Sequence, residues 1–161
     1  MKLGDLMLKT TGFRDEKELR KYLLKSSHMG IVEEGLTPFG GNIRELLTEF
    51  NIGMEKKSDM LARGKDNELV VIELKLRKAD YKAFGQILCY ILLIKSLRFF
   101  QKKYRGVRGI VLANKIDDSL KMIVKEYKHW KKQIKDIPRI NLKEYVISPD
   151  TGEIEVIDVT P

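Results

Sequence analysis

The sequence predicts one α/β domain, built on a mixed central β-sheet with helices on both faces. Apolar, β-branched runs that are typical of buried strands alternate with segments whose apolar residues recur at helical spacing. Turn-forming residues separate these segments, and no internal repeat or linker divides the 161 residues. Helices and strands in such an order pack as a sheet layer covered by helices. We therefore expect residues 1–161 to form a single folded unit.

The first predicted helix covers residues 15–28. Asp15 is a suitable N-cap, Glu18 follows three residues later, and Gly30 is expected to end the helix. Residues 37–44 contain Pro38 and a glycine pair, so a surface loop is predicted there.

The other predicted elements alternate along the chain. A helix from Asp80 to about residue 103 is apolar nearly all round, which is typical of a buried helix. A second helix is predicted for residues 118–132. Strands are predicted for residues 46–52, for the two arms of a hairpin around residues 64–67, and for residues 107–113, 140–147 and 153–159.

Charged residues gather at the predicted hairpin. Asp59 precedes its first arm, and Glu73 and Lys75 follow the β-branched run of the second arm. Side chains alternate along a strand, so Glu73 and Lys75 should point to the same side, and the hairpin should return Asp59 beside them. Carboxylate oxygens are ligands that Mg²⁺ and Mn²⁺ prefer. The pattern therefore predicts a site with two carboxylates and one ammonium group.

These residues resemble a known nuclease signature. Asp59 with Glu73-Leu74-Lys75 resembles the PD-(D/E)xK motif, and Gln86 with Tyr90 resembles the Gln-x-x-x-Tyr box of several of its branches. The flanking segments resemble the catalytic domain of the NucS (EndoMS) family of archaeal and actinobacterial DNA endonucleases, namely Glu16-x-x-Leu19, Glu34-Gly35-Leu36 and Arg108-Gly-Ile-Val-Leu-Ala113. The resemblance covers roughly residues 14–147. It implies a restriction-endonuclease-like core and a metal-dependent DNA endonuclease.

The resemblance also implies roles for individual residues. Lys75 would orient the attacking water or stabilise charge on the phosphate, Gln86 would position Lys75 or the phosphate, and Tyr90 would support the site. Mg²⁺ or Mn²⁺ would be held by Asp59, Glu73, the backbone carbonyl of Leu74 and the upstream acid Glu16. Glu33 and Glu34 compete with Glu16 for that last position.

The charge balance suits a polyanionic partner. The net charge is +8 and the pI is near 9.5. A solvated, lysine-rich surface explains the same numbers. The cations that we expect to contact DNA are Arg44, Arg77, Lys78, Lys102, Lys103 and Arg105. The last three belong to a basic cluster, from Lys95 to Arg108, that is a candidate phosphate-contacting patch. The loop at residues 37–44 is a further candidate for DNA contact or for a lid.

Composition excludes several classes of protein. The single cysteine, Cys89, excludes an intramolecular disulfide and a cysteine-rich metal site. No apolar run approaches the roughly 20 residues of a membrane span, and no signal peptide is visible, so a cytoplasmic protein is expected.

Substrate and assembly stay open at this stage. Duplex, mismatched, branched and flap DNA all fit, in repair, recombination or mobile-element biology, and RNA fits as well. A homodimer is compatible with the activity, because cutting both strands of a duplex needs two active sites. The alternatives are a non-catalytic nucleic-acid-binding module on a nuclease fold, a metal-dependent enzyme for another substrate, and a purely structural domain.

Overall fold

The computed structural model describes residues 11–25, 28–39, 60–148 and 150–161. These residues form a mixed sheet flanked by helices, which confirms the predicted fold class. The strands are β1 (Thr37–Pro38), β2 (Met60–Arg63), β3 (Glu68–Ala79), β4 (Gly106–Ile116), β5 (Ile140–Ile147) and β6 (Ile154–Asp158). The helices are α1 (Glu16–Leu24), α2 (Met29–Val32), α3 (Tyr81–Lys95), α4 (Arg98–Lys103) and α5 (Asp118–Lys131).

The six strands lie side by side in chain order. β3 pairs with β4 and β4 with β5 in parallel, whereas β1–β2, β2–β3 and β5–β6 are antiparallel. The parallel pairs are possible because long crossovers join their strands, containing α3 and α4 in one case and α5 in the other. β3 and β4 therefore occupy the centre of the sheet.

Both faces of the sheet are covered, and each has its own core. On one face, called the α3 face, Leu69 and Val71 of β3 pack with buried residues of α3, α4 and α5. On the other, called the α1 face, Val70 and Ile72 pack with buried residues of α1 and α2. This double burial explains why β3 is apolar at consecutive positions rather than at alternate ones.

The helix boundaries correct part of the sequence prediction. Asp15 does cap α1, since its side chain accepts a hydrogen bond from the Glu18 backbone N–H at 2.8 Å. The prediction that Gly30 ends this helix is wrong: α1 ends at Leu24, and Gly30 lies inside α2. The predicted helix up to residue 103 is two helices, because the chain turns at Ser96 and Leu97 before α4 begins.

Two further boundaries differ from the prediction. β4 continues to Ile116, beyond residue 113 where the predicted strand ended, and α5 follows directly, capped by the Asp117 side chain that accepts from the Asp118 N–H. The predicted loop at residues 37–44 begins with β1 instead. Most of that loop and the predicted strand at residues 46–52 lie outside the described residues. Within the described ranges, no helix is long and apolar enough to cross a membrane.

Candidate active site

Glu73 and Lys75 stand in the middle of the sheet, on the α3 face of β3. Glu73 is completely buried, and Lys75 is partly exposed. The Lys75 Nζ lies 3.3 Å from the Glu73 Oε1. The prediction that these two side chains point to the same side of the strand is therefore confirmed.

The Glu73 carboxylate is a buried charge with few partners that could stabilise it. Neither of its oxygens has a hydrogen-bond partner in the described structure, and its ion pair there is with Lys75 alone. Burying a carboxylate without hydrogen bonds is costly, and most buried polar atoms in proteins do have partners. The fold thus keeps two buried carboxylate oxygens without hydrogen bonds, and a bound cation or a hydrogen-bond donor would be stabilised by them.

Helix α3 covers the strand that carries this pair. Asp80 caps it by accepting from the Lys82 N–H at 2.9 Å. Tyr90 is fully buried in the core of the α3 face, and Gln86 lies one turn earlier with its Oε1 buried and without a hydrogen-bond partner in the described structure. The chain therefore places a further unsatisfied acceptor on the helix that packs over β3.

Glu16 approaches β3 from α1. Its Oε1 accepts a hydrogen bond from the Leu76 N–H at 3.5 Å, one residue beyond Lys75. The side chain of Leu74, whose backbone carbonyl was predicted as a metal ligand, is buried on the α1 face. Helix α1 thus brings the predicted upstream acid to the backbone of the same short stretch of β3.

Two predicted residues, Asp59 and Arg44, lie outside the described residues. The described part of β2 begins at Met60, which pairs with Ile72, the residue directly before Glu73. In the part of the chain that the structure describes, no group of three or more His, Cys, Asp or Glu side chains forms a metal cage. Glu73 itself fits a hard cation, because its oxygens are buried, anionic and without hydrogen bonds.

The competing acids Glu33 and Glu34 have other partners. Glu34 is exposed and pairs with Lys65 at 3.2 Å. Glu33 accepts hydrogen bonds from both terminal nitrogens of the Arg108 guanidinium group. The Glu33 Oε1 also lies 3.6 Å from the Lys143 Nζ. Both acids therefore pair with cations, whereas Glu16 contacts the backbone of β3.

Arg108 corrects the predicted basic patch, because it is buried rather than exposed to DNA. Its Nε donates to Glu68 at 2.9 Å, in addition to the pair with Glu33. Burial acts to lower the pKa of Arg108, but the hydrogen bonds and charges of Glu33 and Glu68 outweigh it and raise that pKa. Its place in an apolar strand, next to Val107, was the signal in the sequence that favoured burial.

The other cations predicted to contact DNA that lie in the described ranges are exposed, and the fold divides them into two groups. Arg77 and Lys78 lie at the carboxyl end of β3. Lys102, Lys103 and Arg105 lie near its amino end, since Glu68 pairs with Gly106. Ten strand residues separate the ends, which corresponds to roughly 33 Å. We call these groups the carboxyl-end cations and the amino-end cations.

Comparison with protein families identifies the kind of domain to which this geometry belongs. The family model described as the endonuclease NucS C-terminal domain matches residues 15–148. The chain belongs to this family. The match includes Glu16, Glu73, Lys75, Gln86 and Tyr90.

Curated relatives agree with this assignment. Endonuclease NucS of Methanocaldococcus jannaschii is 28% identical over 113 residues, which is 69% of this chain and 37% of that protein. Endonuclease NucS of Pyrococcus horikoshii is 30% identical over 111 residues, which is 69% of this chain and 38% of that protein. The chain thus spans about two-fifths of the length of the relatives that it matches.

Solved structures share the fold. EndoMS without ligand superposes with a TM-score of 0.54 at 19% identity, covering 78% of this chain and 44% of that one. A complex of EndoMS with double-stranded DNA gives a TM-score of 0.53, and a repair endonuclease from Pyrococcus abyssi gives 0.52 at 21% identity. At these identities the likeness establishes a shared fold, the mixed sheet flanked by helices.

Proposed function

We propose that this domain is the catalytic part of a DNA endonuclease that hydrolyses phosphodiester bonds with Mg²⁺ or Mn²⁺. The observation that carries the proposal is the buried Glu73 carboxylate, which lacks hydrogen bonds and has Lys75 beside it. Membership of the NucS C-terminal domain family supports the same activity. The DNA complex of the structurally similar EndoMS supports DNA as the substrate.

Each residue of the site has a proposed task. Glu73 and Asp59 would hold the cation, and the Leu74 carbonyl and Glu16 would supply further oxygen ligands. When bound, a divalent cation activates water and neutralises charge on the phosphate. Lys75 orients the attacking water or stabilises the charge that develops on the phosphate. Gln86 uses its free acceptor to hold Lys75 or a substrate group in place, and Tyr90 packs behind it.

Substrate binding is proposed to involve both ends of β3. The carboxyl-end cations and the amino-end cations lie on exposed surface, where they can neutralise phosphates. The substrate is structured, mismatched or branched DNA, processed in the cytoplasm during repair, recombination or mobile-element activity. A homodimer supplies the second active site where both strands are cut.

A cleavage assay tests the proposal. Labelled duplex, mismatched duplex, flap, four-way junction and single strand are incubated with Mg²⁺, Mn²⁺ or EDTA. We expect wild-type protein to cut at least one substrate with metal, and Glu73→Gln to cut none. Glu34→Gln is the matched control, because it changes an exposed carboxylate in the same way and should keep wild-type activity.

Metal binding is measured separately from activity. Adding Mn²⁺ should raise the melting temperature of the wild-type protein, because the ion binds only the folded state. The shift should disappear in Glu73→Gln and persist in Glu34→Gln. Salt-sensitive DNA binding without cleavage in any metal would contradict catalysis and identify a binding module.

A further inference from the structure

The backbone of Leu76, the residue directly after Lys75, is held by two side chains. The pairing of β3 with β4 is interrupted between Lys75 and Lys78, so Leu76 has no partner in that ladder. Its N–H donates to the Glu16 Oε1 at 3.5 Å, and its carbonyl accepts from the Tyr145 hydroxyl at 2.6 Å. A bulge leaves backbone groups unpaired, and here α1 and β5 supply the missing partners.

Tyr145 is itself fixed in place. It is fully buried, its ring packs edge-on against Phe13 with centroids 6.2 Å apart, and its backbone carbonyl accepts from the Asn114 side chain at 3.1 Å. Burial raises the pKa of Tyr145 to about 12; a hydrogen bond with Thr11 acts to lower it, and the charge of Glu16 adds a smaller increase. The hydroxyl therefore stays protonated at neutral pH and donates to Leu76.

We propose that Tyr145 is a positioning residue of the active site, and that its hydroxyl fixes the Leu76 carbonyl and thereby the orientation of Lys75 toward Glu73. The proposal rests on the nuclease function proposed above. Lys75 is the last residue paired with β4 before the interruption, so the ladder holds it on one side and the Tyr145–Leu76 bond on the other. Without this bond the strand end is free to shift, and small shifts of a catalytic group are costly.

The structure offers a matched control for the loss of this hydroxyl. Tyr127 also donates to a backbone carbonyl at 2.6 Å, that of Pro138, and burial raises its pKa to about 12 as well. Its bond joins α5 to the segment before β5 and does not touch β3. Tyr145→Phe and Tyr127→Phe thus remove the same atom and the same kind of bond, but only the first removes a contact beside Lys75.

Three measurements on these variants test the proposal. Single-turnover cleavage at saturating protein gives the rate of the chemical step, fluorescence anisotropy in EDTA gives the dissociation constant for DNA, and amide hydrogen exchange reports on residues 73–79. We expect Tyr145→Phe to lower the single-turnover rate about tenfold with little change in the dissociation constant. Exchange across residues 73–79 should increase. Tyr127→Phe should leave the rate and this exchange unchanged, even if its melting temperature falls as much.

The outcomes separate this proposal from the nuclease function. If wild type cuts DNA and Tyr145→Phe cuts at the same rate, the positioning role is overturned and the nuclease function stands. Equal losses of rate in Tyr145→Phe and Tyr127→Phe also overturn it, because they reveal a general loss of stability. If wild type cuts nothing, the nuclease function fails. Unchanged hydrogen exchange across residues 73–79 in Tyr145→Phe would then also overturn the claim that the Tyr145 hydroxyl holds this part of β3 in place.

Discussion

Two buried charges on neighbouring strands, Glu73 on β3 and Arg108 on β4, have opposite surroundings. Arg108 has two carboxylate partners, Glu33 and Glu68, and its Nε and both terminal nitrogens donate to them. Glu73 has Lys75 nearby but no hydrogen bond to either oxygen in the described structure. A buried charge with good partners supports the fold, whereas one without them costs stability and indicates a function. This difference separates a structural ion network from the proposed catalytic site.

The largest effect is expected for Glu73→Gln. Cleavage should fall by more than about 10³-fold, because removing a principal charge of an active site costs several kcal/mol in the transition state. Folding should not suffer, since replacing a poorly compensated buried charge is neutral or stabilising by about 1 kcal/mol. Urea denaturation without metal measures this second quantity. A large loss of stability would show that Glu73 is structural, like Arg108.

Arg108→Met should have the converse effect. It leaves Glu33 and Glu68 without their shared cation, and we expect the free energy of unfolding to fall by about 2–3 kcal/mol, below the full cost for a deeply buried pair because both carboxylates are partly exposed. Urea denaturation measures the loss. Arg105→Met is the control, because that exposed arginine lies three residues away on the same segment. Equal stability of the two variants would contradict the structural role of the Arg108 network.

The next largest effect is expected on the free energy of unfolding at high pH, and it concerns Tyr145 and Tyr127, whose hydroxyls donate to backbone carbonyls. The pKa of Tyr145 is about 12 in the folded protein, above its ordinary value of 10.0, so the unfolded chain loses this proton first. The stabilisation is therefore complete below pH 10 and decreases as pH rises from 10 toward 12, by at most roughly 3 kcal/mol.

Tyr145→Phe removes this contribution and isolates it from other groups. The decline in unfolding free energy between pH 10 and 12 should be shallower in Tyr145→Phe than in wild type, as followed by denaturant titrations at several pH values. Tyr127→Phe should make the decline shallower in the same way, because burial raises the pKa of Tyr127 to about 12 as well. Parallel curves for wild type and Tyr145→Phe would mean that this hydroxyl is not buried as described.

The sequence was sufficient to predict that Glu73 and Lys75 share one side of β3, but not to predict which residues hold that part of the strand in place. Alternation along a strand is a local rule, so the shared side of Glu73 and Lys75 was predictable from two residues alone. The contact between Tyr145 and Leu76 joins residues 69 positions apart at an interrupted ladder. No local pattern encodes such a contact, because it depends on how β5 and β3 are placed around β4.

The same reasoning explains the errors. Gly30 was predicted to stop a helix because glycine often does, yet the packing of Met29 and Val32 against the α1 face keeps it inside α2. Arg108 was grouped with exposed cations because they are neighbours in sequence. Its partners, Glu33 and Glu68, lie 75 and 40 positions away. A run of cations in the sequence does not predict an exposed basic patch where tertiary contacts bury one of those side chains.

The smallest effects are expected for single exposed cations, and they test whether both ends of β3 contact DNA. Lys78→Ala at the carboxyl end and Lys102→Ala at the amino end should each weaken binding of a 30-base-pair duplex by about fivefold, equivalent to about 1 kcal/mol. Each should also reduce the slope of log affinity against log salt by about one. Anisotropy titrations over a range of salt concentrations measure both quantities.

The difference in DNA affinity between Lys78→Ala and Lys102→Ala shows the path of the DNA, which neither loss of affinity shows alone. The ends of β3 are roughly 33 Å apart, close to the length of one turn of duplex. A DNA that reaches both groups must therefore follow the direction of β3 for about ten base pairs. If Lys78→Ala weakens binding and Lys102→Ala does not, the DNA leaves the protein before the amino end, and the amino-end cations are a solvated surface. If only Lys102→Ala has an effect, the substrate path avoids the carboxyl end of β3.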